Sequence, residues 1–312
     1  MDLDVGLDSH TEETLGALAS LGWAVAAISW VVDADRALQA AGRKTQSSVS
    51  STKPQRGGEA SEKSDDDDSD KEDQGPKSLE AQLPAPESLA TATGGQLPVQ
   101  DYFARKRKGN GDDASTTESE IERYTRLTVE FRGIAGLNYV LQHPVTACFD
   151  LVVLRITSVR ALQVAMQIVR ESSQRQIPFD AIHIPLTAED KIPFRLGPAE
   201  MLDLRRARIF VELSYIEAMP ITGARTTLRS RAISNARWLL EHTSGGSMKK
   251  AANTNIIVSS GKPRHSLLQL RAPEQVAAIA TTFGLSPKQA QCAITTNGEA
   301  LLERARIRRA HH

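Results

Sequence analysis

Arginine is the side chain in this sequence whose number and spacing could do chemistry. Arg225, Arg229, Arg231 and Arg237 recur along one stretch, Lys262, Arg264, His265 and Arg271 crowd another, and Arg304, Arg306, Arg308 and Arg309 lie near the end of the sequence. A guanidinium presents a planar fork of donors that can hold a phosphate through two bonds at once, and it stays charged at any working pH. Groups of this kind suit a polyanion, although helix-end charge and local ion pairs account for a share of them. Aromatic residues make up only 4% of the chain, so contact with a phosphate backbone is expected ahead of stacking on bases.

Other chemistries find less support. The His residues stand at 10, 143, 183, 242, 265, 311 and 312, with no His-x-His pair to seed a metal centre. Asp8 and His10 could supply two ligands, yet Asp8 and Ser9 are also ordinary helix-capping residues. Ser259 lacks the glycine flanks of a nucleophile elbow, and capping of the backbone is the expected role. The two cysteines, Cys148 and Cys292, make neither a disulfide framework nor a metal knuckle. Both are expected as buried thiols, which fits a reducing compartment. No catalytic residue, metal site or cofactor is assigned.

The formal charge of the 312 residues is zero, but it is unevenly spread. Residues 1–123 hold 13 Lys+Arg against 24 Asp+Glu, and residues 124–312 hold 25 against 14. A basic body paired with an acidic segment points to nucleic acid or an acidic protein surface as partner. The first residues are acidic rather than a basic leader, and the apolar stretch from Trp23 to Val32 is too short to cross a bilayer. A soluble intracellular protein with no membrane partner is expected.

The elements that must position these residues follow from apolar periodicity. Alternation in Met1–Leu7 predicts a first strand, Leu15, Leu18 and Leu21 a helix closed by Gly22, and Ala24–Val32 a second strand. Three segments result: 1–36 as the opening β-α-β part, 37–121 as a disordered low-complexity insertion, and 122–312 as the remainder. The insertion carries Asp65-Asp66-Asp67-Asp68 and almost no periodic apolar residues. Its basic run Arg105-Lys106-Arg107-Lys108 suits a nuclear-import signal, an RNA contact or a solvated charge cluster.

Beyond the insertion, strands are expected at Arg126–Phe131, Phe149–Ile156, Ala181–Leu186, Ile209–Leu213 and Asn255–Val258. Helices are expected at Ile134–His143, Val159–Arg170, after Gly197-Pro198, at Thr226–His242 and after Pro273. Ser286-Pro287-Lys288-Gln289 reads as a capping box opening another helix that ends at Asn297-Gly298, and a C-terminal helix carrying Arg304, Arg306, Arg308 and Arg309 is expected after it. Strands alternating with helices mean a parallel α/β sheet. A TIM-barrel-like (β/α) closure is favoured over a doubly wound sheet, because no Gly-x-Gly-x-x-Gly turn follows the first strand. In such a barrel, function belongs to the loops after the strands, which directs attention to Asp8, His10, Asp33, Arg132, Glu212, Ser259 and Ser260.

Several segments in series resemble one known family. Leu21-Gly22-Trp23-Ala24-Val25-Ala26-Ala27-Ile28, Thr125-Arg126-Leu127-Thr128, Phe149-Asp150-Leu151-Val152-Val153 and Phe210-Val211-Glu212-Leu213 carry part of the likeness. Ile256-Ile257-Val258-Ser259-Ser260, Leu270-Arg271-Ala272-Pro273, Phe283-Gly284-Leu285-Ser286 and Thr296-Asn297 carry the rest. Their order and spacing resemble the 30-kDa protein subunit of ribonuclease P and RNase MRP. That resemblance implies a TIM-barrel-like fold related to metal-dependent phosphoesterases of the PHP class, serving as a noncatalytic RNA-binding subunit. The RNA would cleave 5′ leaders from precursor tRNA, and the MRP particle would process ribosomal RNA. Implied partners are that RNA, a small ferredoxin-like subunit and, indirectly, precursor tRNA. Any Mg²⁺ would belong to the RNA, and the location would be the nucleus and nucleolus. Arg126, Arg229, Ser259, Ser260 and Arg271 fall on recurring family positions, and Arg126 joins Arg225, Arg229, Arg231, Lys262, Arg264, His265 and Arg271 as expected RNA contacts. The insertion is a departure from the family core, and a stand-alone metal-dependent phosphoesterase on the same barrel is the alternative.

Overall fold

The computed structural model describes residues 25–49, 122–172, 176–219, 225–243, 255–261 and 269–311, with isolated positions at 17 and 20. The described strands are β1 (Val25–Asp33), β2 (Glu122–Glu130), β3 (Leu151–Arg155), β4 (Ala181–His183), β5 (Phe210–Ser214) and β6 (Ile256–Ser259). They form a six-stranded sheet in the order β1-β2-β3-β4-β5-β6, and every neighbouring pair is parallel. Each strand lies beside its predecessor, so the winding never reverses. A doubly wound sheet must reverse at a switch point, whereas a (β/α) barrel advances in one direction throughout. The fold is α/β with the winding of such a barrel, and β1 and β6 are the ends of the sheet among the described strands.

The helices are α1 (Ala34–Val49), α2 (Ile134–Leu141), α3 (Val159–Glu171), α4 (Pro198–Arg206), α5 (Arg225–Thr243), α6 (Pro273–Thr282), α7 (Pro287–Ile294) and α8 (Thr296–Arg309). Local chemistry explains several boundaries. Ser158 caps α3 by accepting from the Ala161 amide at 3.1 Å. Ser286 and Gln289 form the reciprocal capping box of α7, with bonds of 3.3 and 2.8 Å. At Gly136 of α2 the backbone of Ala34 comes so close that a β-carbon would sit 3.0 Å from its carbonyl carbon.

Side-chain alternation splits the sheet into two faces. Leu127, Val129, Val152, Leu154, Ile182, Val211, Leu213, Ile256 and Val258 join the large core shared with the helices. The other face carries Ala27, Leu151, Val153, Ala181, Phe210 and Ile257, which pack against Leu301, Leu302 and Ala305 of α8. Those strand residues lie towards the N-terminal end of the sheet, so α8 lies across that end. Farther along the same face the residues turn polar: Arg126, Thr128, His183, Glu212, Ser214 and Ser259 are all buried.

Three expectations need correction. Helix α1 runs to Val49, so the opening part does not stop at residue 36. Asp33 caps its start, accepting from the amides of Asp35 and Arg36, and its buried stripe is alanine, Ala34, Ala37 and Ala40, which carries little apolar signal. Second, Asn297-Gly298 does not end a helix: the break falls at Thr295, and the pair opens α8, where Asn297 donates to the Ile256 carbonyl at 2.7 Å. Third, Cys148 is exposed and Cys292 half-buried, because each falls on the outer side of its helical turn. The expected first strand, the helix closed by Gly22 and the part of the insertion from 50 to 121 lie outside the described residues. No helix among the described residues is long and apolar enough to cross a membrane.

Candidate nucleic-acid interface

The polar part of the inner face is built around Glu212, which β5 places in the row that contains His183 of β4. Arg126 of β2 reaches across the sheet and binds both of its oxygens, Nη1 and Nη2 each at 2.6 Å. The Ser259 hydroxyl donates to Oε1 at 2.7 Å, and His183 Nδ1 lies 3.2 Å from Oε2. Burial alone pushes the Glu212 carboxyl up, but the Arg126 charge and the bonds from His183 and Arg126 outweigh it and hold the group well below the ordinary carboxylate range. A carboxylate has about four acceptor directions. All are taken.

The shell around this cluster is equally committed. Arg126 Nε donates to Thr128 at 3.2 Å, and His183 Nε2 faces Glu217 at 3.7 Å. Glu217 itself accepts from the amide and hydroxyl of Thr187 at 2.7 and 2.8 Å. Ser259 receives the Gly261 amide at 3.2 Å, and Ser214 donates to the Ser260 carbonyl at 2.7 Å. Gly261 has φ +79°, and a side chain there would collide with Ser214, so glycine is required at this turn. The serines thus lock the exit of β6 and do not present a nucleophile. Among the described residues, no group of three or more His, Cys, Asp or Glu is placed to hold a metal ion.

The expected RNA-binding residues scatter. Arg126 is 1% exposed and bound to Glu212, so its expected RNA contact gives way to a role inside the sheet. Burial behind the strands leaves it no face for a polyanion. Arg229 is exposed on α5, Arg231 pairs with Asp190, and Arg237 donates to the Thr282 carbonyl at 2.8 Å. Arg271 is half-buried after β6 and donates to the Leu270 carbonyl at 2.7 Å. Arg225 opens α5, but its side chain lies outside the described set, as do Lys262, Arg264 and His265 altogether. Asp8 and His10 lie outside it too.

Sequence reading missed the opposite end of the sheet. There Arg308 of α8 binds Asp180 through Nε, at 2.9 Å to Oδ2, and reaches the carbonyls of Phe149 and Asp150 at 3.1 and 2.9 Å. Asp180 also accepts the Val152 amide at 2.9 Å. Arg304, one turn earlier, is equally buried and donates to the Ile177 carbonyl at 2.8 Å. Burial raises the Asp180 carboxyl even with Arg308 alongside, and burial lowers Arg304 from its ordinary value. Leu301, Arg304, Ala305 and Arg308 share a stripe at spacing three and four, a pattern legible in the sequence but masked by its charged members. The tetrapeptide Arg205-Arg206-Ala207-Arg208, just before β5, was a second signal.

Comparison with known proteins places the molecule. The family described as RNase P subunit p30 matches residues 1–310. The chain belongs to that family. Protein GAMETOPHYTE DEFECTIVE 1 of Arabidopsis thaliana is 28% identical over 193 residues, which is 62% of this chain and 29% of that protein. The chain therefore spans about three tenths of the length of this curated relative. Among solved structures, a chain in the cryo-EM structure of archaeal ribonuclease P with mature tRNA superimposes with a TM-score of 0.52 at 10% identity. The match covers 98% of this chain and 91% of that one, and it speaks to the fold. The RNase P p30 family thus joins the winding order as support for the α/β architecture expected from sequence.

Proposed function

We propose that this protein is a noncatalytic, RNA-binding subunit of ribonuclease P and of the related MRP particle, leaving phosphodiester cleavage to the RNA. The observation that carries the reading is the family match along residues 1–310. The closed cluster around Glu212 supports the noncatalytic part. A general base or metal ligand needs an oxygen free to meet a proton or a cation, and both Glu212 oxygens are already held by Arg126, Ser259 and His183. In the place where barrels of this kind do chemistry, a guanidinium fills the interior instead.

On this reading the protein works through its surface, by neutralising RNA phosphates and by seating a neighbouring subunit, for which a small ferredoxin-like protein is the proposed partner. Processing of precursor tRNA and ribosomal RNA, and residence in the nucleus and nucleolus, belong to the same proposal. Purification of the tagged full chain from cells under native conditions, followed by sequencing of the bound RNA, tests it. The RNAs of ribonuclease P and MRP should be enriched. Recovery of no RNA, or a purified chain that hydrolyses a generic phosphodiester with Mn²⁺, would overturn the reading in favour of a metal-dependent phosphoesterase.

A further inference from the structure

The exit of α4 is built in an unusual way. Arg205, Arg206 and Arg208 are all exposed, and they sit at the N-terminal end of the sheet where α4 turns into β5. The turn is closed by the Arg208 amide on the Arg205 carbonyl at 3.0 Å and the Ile209 amide on the Leu204 carbonyl at 2.8 Å. Arg208 has φ +58°, and it is the one described residue other than glycine in the left-handed region. Glycine or asparagine is the usual choice there, since a β-carbon is strained in that conformation. Cations at a helix C-terminus complement its dipole, which accounts for Arg205 and Arg206. It does not account for an arginine in the strained position. Strain of this kind is kept where the side chain has work to do.

A second observation lies in α8, at the same end of the sheet. Arg304 is 1% exposed, and its Nε and Nη1 have no hydrogen-bond partner. The nearby carboxylate, Asp180, is bound by Arg308 through both oxygens. Burial lowers Arg304 from its ordinary value, and the charges of Arg308 and Arg208 add to that effect. Buried positive charge is therefore in surplus at the end of the sheet where the exposed arginines lie. An anion with several oxygens would answer the exposed arginines, and a phosphate matches the guanidinium fork in size and geometry.

We propose that Arg205, Arg206 and Arg208 form a phosphate-binding site at the N-terminal end of the sheet that grips the backbone of RNA. This rests on the RNA-binding reading above and gives it a surface. The site lies at the opposite end of the sheet from the loops where barrels of this winding usually work. Because it reads phosphates, it contributes affinity and orientation without sequence preference.

The test uses the full chain, a labelled ribonuclease P RNA transcript as probe, and affinities measured over a series of KCl concentrations. Arg208→Gly relieves the left-handed strain, so the melting temperature should hold or rise while RNA affinity falls about tenfold, roughly the worth of one charge-assisted contact. The triple variant Arg205→Gln, Arg206→Gln, Arg208→Gly should lose on the order of a hundredfold, and its log affinity should fall less steeply with log salt, by roughly 0.7 to 0.9 for each phosphate contact removed. A turn with a purely structural role would leave affinity and salt slope unchanged. Wild-type protein that binds no RNA would overturn both this inference and the proposed function. RNA binding by the wild type that persists unchanged in the triple variant would overturn this inference alone. So would stabilisation of the wild type by inorganic phosphate with no loss of RNA affinity in the variants, since the site would then serve a free anion.

Discussion

At the C-terminal end of the sheet one guanidinium, Arg126, meets one carboxylate, Glu212, and every oxygen of that carboxylate is used. At the N-terminal end Arg304 and Arg308 lie beside a single carboxylate, Asp180, and Arg304 keeps two donors unanswered. Both clusters are buried, so burial does not explain the difference. The difference is stoichiometry. A balanced buried pair is a structural device, costly to break and closed to ligands. An unbalanced one leaves a net positive field that favours anions at the adjacent surface. The end that a barrel usually devotes to chemistry is thus the sealed one, and the end usually devoted to stability carries the surplus.

The largest effect expected from this contrast is on Asp180. Asp180→Ala would leave two guanidiniums buried without a carboxylate and orphan the Val152 amide, and a loss of about 3–5 kcal/mol is expected. Glu212→Ala strands a single guanidinium, Arg126, with the Ser259 hydroxyl and His183 beside it, and should cost less within the same range, while the double change Arg126→Met, Glu212→Leu should recover most of that cost. Urea denaturation of the three variants ranks them. A smaller loss for Asp180→Ala than for Glu212→Ala would break the comparison.

The two ends should also answer pH in opposite senses. Glu212 is held below its ordinary value, so its contribution is complete above about pH 4.3 and is lost as the pH falls through the depressed value. Asp180 is raised, so its contribution is complete below about pH 3.9 and is lost as the pH climbs through the raised value. Glu212→Gln should therefore flatten the acid limb of the melting-temperature profile. Parallel profiles for Glu212→Gln and wild type below pH 4 would show that the cluster does not carry the acid sensitivity.

The smallest effect belongs to the rim. Arg309 pairs with Asp150 at the same N-terminal end, but its side chain is 42% exposed, and water screens such a pair. Arg309→Gln should change stability by less than about 1 kcal/mol. A loss as large as that of Asp180→Ala would mean that the surface pairs, and not the buried surplus, organise this end.

Much of the fold was legible because apolar periodicity marks the strands and helices directly. Leu127 and Val129 against Arg126, Thr128 and Glu130 reveal a two-faced strand through the order of residue types alone. The extent of α1 was hidden because its buried stripe is alanine, which weighs little in a hydrophobic pattern. The site was less legible for a related reason. Arg126, Arg304 and Arg308 look like surface cations in a sequence, and only the register of distant strands and the course of α8 show that each is buried beside a carboxylate far away in the chain. Glu212 was picked out through its position at the end of a strand, but its partner was not. His183 carried no local signal at all: nothing within its own strand says that Glu212 and Glu217 flank it.

Crosslinking of RNA to the full chain within the purified particle, with the attached peptides mapped by mass spectrometry, tests the central claim most directly. Crosslinks should concentrate at Arg205–Arg208. Crosslinks confined to the loops after β2, β4 and β5, with none at the N-terminal end of the sheet, would contradict the account.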